Sequence, residues 1–248
     1  MALTSLSSAA EVLVATGHDP FARGSLRRPL ARGWVGHGAT AWMGVDAEER
    51  SSYLSTQGAP ASVGALLGEL LPELPSGARV TVPRGTPSHL PAWVGLDGTD
   101  WDFRWTDVPP PEQAHEQRVE PVDDADGGIT GLLRASSPRA SAQPGTPGVS
   151  RWVGIRSGED LLACAADTSS ATGVGHLSSI AVAPTARGQG LGRAVTAALT
   201  RRLLDDGCEV VTLGMYADNT AGRALYDGLG FRDEHRFTSG PLIVRSRW

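Results

Sequence analysis

The 248-residue sequence contains no lysine, so arginine supplies all 22 of its Lys and Arg residues. Schiff-base catalysis and covalent attachment of pyridoxal phosphate both require a lysine amine. The phosphate loop of the common nucleoside triphosphatases also needs a lysine before its Ser or Thr. The sequence therefore excludes these three chemistries.

Cysteine, net positive charge and long apolar runs are also lacking. The two cysteines, Cys164 and Cys208, are too few for a disulfide scaffold or a four-thiolate zinc site, so we predict ordinary buried thiols and no metal. A net charge of −5 argues against nucleic-acid binding. No apolar run approaches the ~20 residues needed to cross a bilayer, so no membrane span is predicted.

The first residues lack the positively charged start of a signal peptide, so we expect a cytoplasmic protein. Their apolar positions, from Leu3 to Leu13, instead predict a first amphipathic helix. The rest of the front part, 1–110, predicts a small α/β domain. Its expected elements are strands at 39–45, 79–82 and 101–105 and a helix over 63–71.

The back part, 118–248, follows three consecutive prolines at 109–111 and is strongly patterned. A short helix at 129–133 is predicted before a Ser-, Pro- and Gly-rich segment, 136–150, which we expect to be a mobile loop. A hairpin over 151–166 and a strand over 175–182 are predicted to follow. The predicted fold class is α/β with a mixed sheet.

A glycine-rich loop follows the strand that stops at Pro184. Gly188, Gly190 and Gly192 alternate there, and a helix with an apolar stripe begins behind them. The first amides of a helix lack internal partners, the helix dipole adds positive charge, and glycines let a phosphate reach the backbone. Arg187 and Arg193 flank a first turn that normally attracts acidic residues. The pattern predicts an anion site, the alternative being a plain glycine-rich turn.

A dinucleotide fingerprint does not fit this loop. From Gly188 the sixth position is Arg193, and from Gly190 it is Val195, so G-x-G-x-x-G/A is absent in either register. A second patterned stretch runs from Asn219 to Phe231 after a strand at 209–215. Asn219 is a good N-cap and Gly230 is placed to end the helix. Its predicted apolar face is Ala221, Ala224, Leu225 and Leu229.

The two stretches together resemble a known family. The first reads R-x-x-G-x-G over 187–192, and the second reads N-T-A-G-R-A-L-Y-D-G-L-G-F over 219–231. This pair resembles the GCN5-related N-acetyltransferase (GNAT) superfamily, FR47-like kind, over about 118–248. The resemblance implies the acyl-CoA N-acyltransferase fold with a largely antiparallel, centrally splayed sheet. The front part matches no motif of the family and would be a degenerate second copy.

The resemblance also implies acetyl-CoA as co-substrate. Loop amides would hold its pyrophosphate, a strand edge would pair with its pantetheine, and the next helix would line its other side. Tyr226 would protonate the departing thiolate, and a backbone N–H near Val182 would stabilise the oxyanion. The cofactor-binding residues so implied are Ile180, Ala181, Val182, Arg187, Gly188, Gln189, Gly190, Leu191, Gly192, Arg193, Asn219 and Gly222.

The general base is less directly indicated. Many relatives place a glutamate six residues before the valine, where this sequence has His176. A histidine with an ordinary pKa near 6.5 can take a proton at neutral pH. Plain alternation puts His176, Ser178, Ile180 and Val182 on one strand face. The alternatives are a structural histidine, a water ordered by Ser178 or Ser179, or no side-chain base.

The expected function is transfer of acetyl to a primary amine of a small molecule or peptide by direct attack in a ternary complex, by a monomer or homodimer. Acidic residues such as Asp107, Glu112 and Glu116 could attract a cationic amine, although charges near a linker are usually just solvated. Two alternatives stay open. One is a non-catalytic CoA or acyl-CoA sensor, and the other is an acyltransferase that uses longer acyl-CoA.

Overall fold

The computed structural model describes residues 3–26, 29–46, 51–75 and 77–244, which form two compact units. The first unit takes the chain up to Phe103, Tyr216–Asp218 and the chain from Glu234 onward. The second takes Arg104–Met215 and Asn219–Asp233. The expected domains 1–110 and 118–248 stay a prediction. The compact units differ from them mainly because the C-terminal strand contributes to the first unit.

The first unit is a mixed α/β structure. Its strands follow the order β1-β2-β3-β4-β5-β13, in which β4 and β5 are parallel and the other neighbours for which a register is defined are antiparallel. The short strand β6 pairs with β13. The elements are β1 (Thr4–Leu6), α1 (Ala9–Ala15), α2 (Pro20–Ser25), β2 (Leu30–Gly36), β3 (Ala39–Asp46), β4 (Ser51–Gln57), α3 (Pro60–Leu70), β5 (Arg79–Pro83), β6 (Val94–Leu96), β7 (Thr99–Thr106) and β13 (Arg232–Val244).

The predicted strands and the helix of the front part are confirmed, but the first amphipathic helix is wrong at its start. Leu6 lies in β1, and α1 begins only at Ala9. Ser8 sets this boundary because its hydroxyl accepts the Glu11 N–H at 3.2 Å while the Glu11 carboxylate accepts the Ser8 N–H at 3.2 Å. This reciprocal capping box satisfies amides that would otherwise lack partners.

Strand β7 runs from the first unit into the second. Its alternation of aromatic and polar residues predicted a half-buried strand, yet the middle of β7 is buried on both faces. Phe103 is buried on one face, and Asp102, Arg104 and Thr106 are buried on the other. Asp102 is tolerated there because Arg84 Nη2 lies 2.7 Å from its Oδ1.

The second unit has the strand order β8-β9-β10-β11-β12, with β11 and β12 parallel and the other pairs antiparallel. Helix α5 packs on one face of this sheet and α4 on the other. The predicted helix at 129–133, the hairpin and the strand at 175–182 are confirmed. The elements are β8 (Glu120–Val122), α4 (Gly128–Ser136), β9 (Arg151–Ser157), β10 (Asp160–Asp167), β11 (Val174–Val182), α5 (Leu191–Asp205), β12 (Val210–Tyr216) and α6 (Thr220–Gly228).

The two units repeat one arrangement. In each, a strand and helical turns precede three antiparallel strands, and a helix then leads to a strand parallel to the last of the three. This identity of order and direction supports the prediction that the front part is a degenerate second copy. No helix in the described ranges is both long and apolar enough to span a membrane.

Candidate functional site

A gap opens between the two parallel strands of the second unit. Their pairing runs from Val174 opposite Val210 to Leu177 opposite Leu213. Beyond Leu177, β11 continues to Val182 with its partners on the β10 side. The strand therefore leaves an edge of backbone N–H and C=O groups toward the gap, and such an edge can pair with an extended ligand.

A β-bulge at Ser179 re-aims the end of β11. Ser178 lies opposite Ala166 while Ala181 lies opposite Cys164, so β11 contains one extra residue, and Ser179 has φ +52°. Ile180 and Val182 consequently pack toward α5. The predicted shared face for His176, Ser178, Ile180 and Val182 is wrong, because the bulge reverses the alternation between Ser178 and Ile180.

The two serines of the bulge are engaged within the protein. Ser179 Oγ accepts the Ala142 N–H at 3.0 Å and donates to the Ala142 carbonyl at 2.8 Å. These bonds fasten the segment after α4 to the bulge, where Ala142 is buried. Ser178 Oγ lies 2.8 Å from Thr168 Oγ1. Both hydroxyls therefore have protein partners, which weakens the alternative in which one of them orders a catalytic water.

Each glycine of the predicted loop has its own role. Gly188 and Gly190 have φ +78° and +80°, and a Cβ added to either would meet no atom within 4 Å. They supply a left-handed turn that faces open space, and Gly190 is the N-cap of α5. At Gly192 an added Cβ would lie 3.1 Å from Leu225 Cδ1 and 3.2 Å from Val182 Cγ2. The third glycine therefore allows close packing of α5.

Six consecutive amides of this loop have no acceptor. Within the described chain, the N–H groups from Gly188 to Arg193, including those of Gln189 and Leu191, form no hydrogen bond to protein, and the first regular one is Ala194 N–H to the Gly190 carbonyl at 3.0 Å. With the positive end of the α5 dipole, these donors could bind an anion, and we refer to the amides from Gly188 to Arg193 as the cradle. Arg187 is exposed beside it.

The side chain of Arg193 does not extend over this cradle as the sequence suggested. It lies against α6, where a Cβ added at Gly228 would be 2.9 Å from Arg193 Nη2. Its backbone N–H remains part of the cradle. The corresponding connection in the first unit is only Gly58 and Ala59 before Pro60, which has no N–H. The cradle is therefore a feature of the second unit.

Helix α6 carries Tyr226 into the core. Asn219 caps the helix as predicted, with its side chain accepting the Gly222 N–H at 2.9 Å. Tyr226 is 6% exposed and meets Phe231 edge to face. Burial raises the pKa of the Tyr226 phenol to about 12, against an opposing effect of the Arg104 charge. The hydroxyl is thus protonated at neutral pH and can act as a proton donor.

The predicted apolar face of α6 is wrong in part. Ala221 and Ala224 are exposed, whereas Tyr226 and Leu229 are buried and Leu225 is half-buried. Burying a tyrosine ring and a leucine removes more apolar surface from water than burying two alanine methyl groups. The helix therefore turns Tyr226 inward, into the core.

His176 lies at the point where the parallel strands part. Its Nδ1 is 2.8 Å from Thr212 Oγ1, directly across the β11–β12 pair. The Thr212 hydroxyl donates its proton to the Gly175 carbonyl at 2.8 Å, so it must accept from His176 Nδ1–H. The neutral ring therefore carries its lone pair on Nε2, the arrangement needed to take a proton.

The acidic residues considered for attracting an amine are largely paired. Arg232 pairs with Asp107, and Arg201 Nε lies 3.3 Å from Glu116 Oε2. Since these carboxylates already face arginines, they add little net negative charge to the surface. Cys164 is buried as predicted, whereas Cys208 is only partly buried.

The model of the acetyltransferase (GNAT) family matches residues 99–231 and so includes β7, which the sequence analysis assigned to the front part. Mycothiol acetyltransferases from Kocuria rhizophila and Paenarthrobacter aurescens are 44% and 45% identical over 62 and 70 residues. These segments cover 25% and 28% of this chain but only 20% and 22% of the relatives.

Solved structures match over nearly the whole chain. A Drosophila protein has a TM-score of 0.63 at 15% identity, covering 98% of this chain and 99% of its own. A GCN5-related N-acetyltransferase from Sphaerobacter thermophilus has a TM-score of 0.58 at 15% identity, covering 99% of this chain and 97% of its own. These likenesses show the shared fold, and the family match shows that the chain belongs to the acetyltransferase (GNAT) family.

Proposed function

We propose that the chain transfers the acetyl group of acetyl-CoA to a primary amine of a small molecule or peptide, without a covalent enzyme intermediate. The observation that carries this proposal is the row of unpartnered amides from Gly188 to Arg193 beside a splayed strand edge and a buried tyrosine. A diphosphate, an extended pantetheine and a thioester sulfur require these three features in that order.

The co-substrate fits the chemistry of this site. The cradle offers donors to a diphosphate, and open space in front of Gly188 and Gly190 leaves room for its oxygens. Backbone groups at Ile180, Ala181 and Val182 would pair with the pantetheine amides. Asn219 and Gly222 lie at the start of α6 and would line the other side of the co-substrate.

Acetyl transfer needs a base, an oxyanion donor and an acid. The amine nitrogen loses its proton to His176 Nε2, directly or through water, and its lone pair forms the new C–N bond at the acetyl carbonyl carbon. A backbone N–H near Val182 stabilises the negative oxygen. The C–S bond then breaks, and the leaving sulfur receives the proton of the Tyr226 hydroxyl.

A free-thiol assay with acetyl-CoA and a panel of amines tests this function. The panel includes amino acids, polyamines, peptides and mycothiol-related amines, since mycothiol acetyltransferases are partial relatives. We expect amine-dependent thiol release, reduced about a hundredfold or more in Tyr226→Phe, with an unchanged Kd for CoA. Tyr53→Phe, in the first unit, is the matched control and is expected to behave as wild type.

The two other functions give different results in the same assay. A CoA sensor would bind CoA but release no thiol with any amine, and Tyr226→Phe would change nothing. An acyltransferase for longer chains would have a higher kcat/KM with propionyl-CoA or longer acyl-CoA than with acetyl-CoA. The proposed acetyl transfer requires that acetyl-CoA be the best of the series.

A further inference from the structure

Arg104 is a buried cation that the sequence pattern did not predict. It lies on β7 with 2% of its surface exposed. A guanidinium cannot lose its proton in a protein, so its charge remains in the core and must be paired. The groups that surround Arg104 therefore indicate what the charge does.

Both hydrogen-bond partners of Arg104 lie on α6. Nη2 is 2.6 Å from Asp227 Oδ1, and Nη1 donates to the Arg223 carbonyl at 3.4 Å. These two residues flank Tyr226 on the helix. Within the described residues, Arg104 Nε is buried and has no hydrogen-bond partner. Helix α6, which carries Tyr226, thus supplies the two acceptors of the guanidinium, while its Nε–H has no acceptor among the described residues.

Helix α6 is anchored in the core mainly through Tyr226, with Leu225 packed beside it. Tyr226 is its one buried residue, and Asp227 is half-exposed. The bonds to Arg104 therefore provide a second attachment of the helix to the sheet. They limit rotation about the helix axis, which is the motion that would move the phenol.

The charge of Arg104 also acts on the phenol itself. It lowers the pKa of Tyr226, against the larger upward effect of burial. A nearby cation stabilises a phenolate, so it eases release of the phenol proton at the moment when the departing sulfur takes it.

We propose that Arg104 is a positioning residue for Tyr226, fixing α6 through Asp227 and the Arg223 carbonyl while it holds a positive charge beside the proton-donating phenol. The inference rests on the proposed function only for its catalytic consequence. The effect of the charge on the phenol can be measured without turnover.

The first test follows ionisation of Tyr226 by 19F NMR in protein labelled with fluorotyrosine. The chain has three tyrosines, and loss of one signal in Tyr226→Phe assigns the resonance. In Arg104→Met the pKa of labelled Tyr226 is expected to rise by roughly one unit, because the stabilising cation is gone. In Arg104→Lys, which keeps a cation, the pKa of Tyr226 is expected to lie between the values in wild type and in Arg104→Met.

The direction of this shift separates the charge from mere packing. A loosened α6 would admit water to the phenol and lower its pKa toward the ordinary value. Asp227→Asn, the control, weakens the tether but leaves the cation, so its shift is expected to be downward or absent. Arg104→Met and Arg104→Lys both weaken the tether, but only Arg104→Met removes the cation. A Tyr226 pKa in folded Arg104→Met that is no higher than in Arg104→Lys would therefore overturn the proposal.

The second test is a double-mutant cycle on kcat. Arg104→Met is expected to lower kcat about tenfold in the wild-type background and to leave the Kd for CoA unchanged. In the Tyr226→Phe background it is expected to have no further effect, because the group it serves is missing. Independent, multiplying effects would contradict the proposed role. Absence of thiol release in wild type would instead remove the proposed function while leaving the NMR result valid.

Discussion

Replacement of Gly190 by alanine distinguishes two effects of the cradle's backbone conformation, one on the stability of the fold and one on CoA binding. Gly190 has φ +80°, and an added Cβ would meet no atom within 4 Å. The added methyl group therefore makes no clash in the folded state. The free energy of unfolding falls only by the penalty of a left-handed alanine, about 1–2 kcal/mol. We expect the melting temperature of Gly190→Ala to fall by roughly 2–8 °C.

The larger effect is expected on CoA binding. The new methyl group projects into the space where the diphosphate is proposed to lie, and the neighbouring amides must adjust around a strained residue. Loss of one charge-assisted hydrogen bond, about 1.5–3 kcal/mol, weakens binding about tenfold to a hundredfold. Isothermal titration with CoA measures the Kd directly.

Gly207→Ala is the matched control. Gly207 follows the C-terminal end of α5, has φ +96°, and also has no atom within 4 Å of an added Cβ. The same backbone penalty is therefore introduced about 22 Å away along one helix. Both variants should lose similar stability, but only Gly190→Ala should lose CoA affinity. An equal change in Kd for the two variants, or none in Gly190→Ala, refutes the reasoning.

Three further predictions concern stability and local order. Asp19→Ala should lower the free energy of unfolding by about 1 kcal/mol, because the Asp19 carboxylate caps α2. Asp19→Asn should keep most of that stability. Urea unfolding measures the free energy for both variants. Burial raises the pKa values of Cys164 and Tyr226 to about 12, so the protonated forms stabilise the native state and this stability is lost as pH rises from about 9 toward 12. A Cys164→Ala variant whose urea midpoint falls as steeply with pH would contradict this. Ser179→Ala should speed hydrogen exchange at the Ala142 amide, which an unchanged exchange rate would disprove.

Local chemistry made much of the second unit predictable. Glycines before an apolar helical stripe identify a left-handed loop and exposed amides without any long-range information. Asn219 likewise caps α6 through a residue three positions away. Such features depend on neighbours in sequence, so the pattern alone indicates them.

Features set by distant partners could not be predicted in this way. The burial of Arg104 depends on Asp227, 123 residues later in the chain. The bulge in β11 depends on Ser179 adopting a left-handed conformation that glycine more often supplies, and its bonds to Ala142 span 37 residues. No local signal marks either position, so plain alternation missed the burial of the polar face of β7 and the change of faces along β11.

The central claim is that the amides from Gly188 to Arg193 bind the diphosphate of CoA. Two-dimensional 15N NMR of the labelled chain, titrated first with pyrophosphate and then with CoA, reports on each of these groups. If these amides bind the diphosphate, the six loop resonances shift in both titrations, and residues around Tyr226 shift only with CoA. Unchanged loop resonances, with saturable shifts elsewhere in the chain, would contradict it.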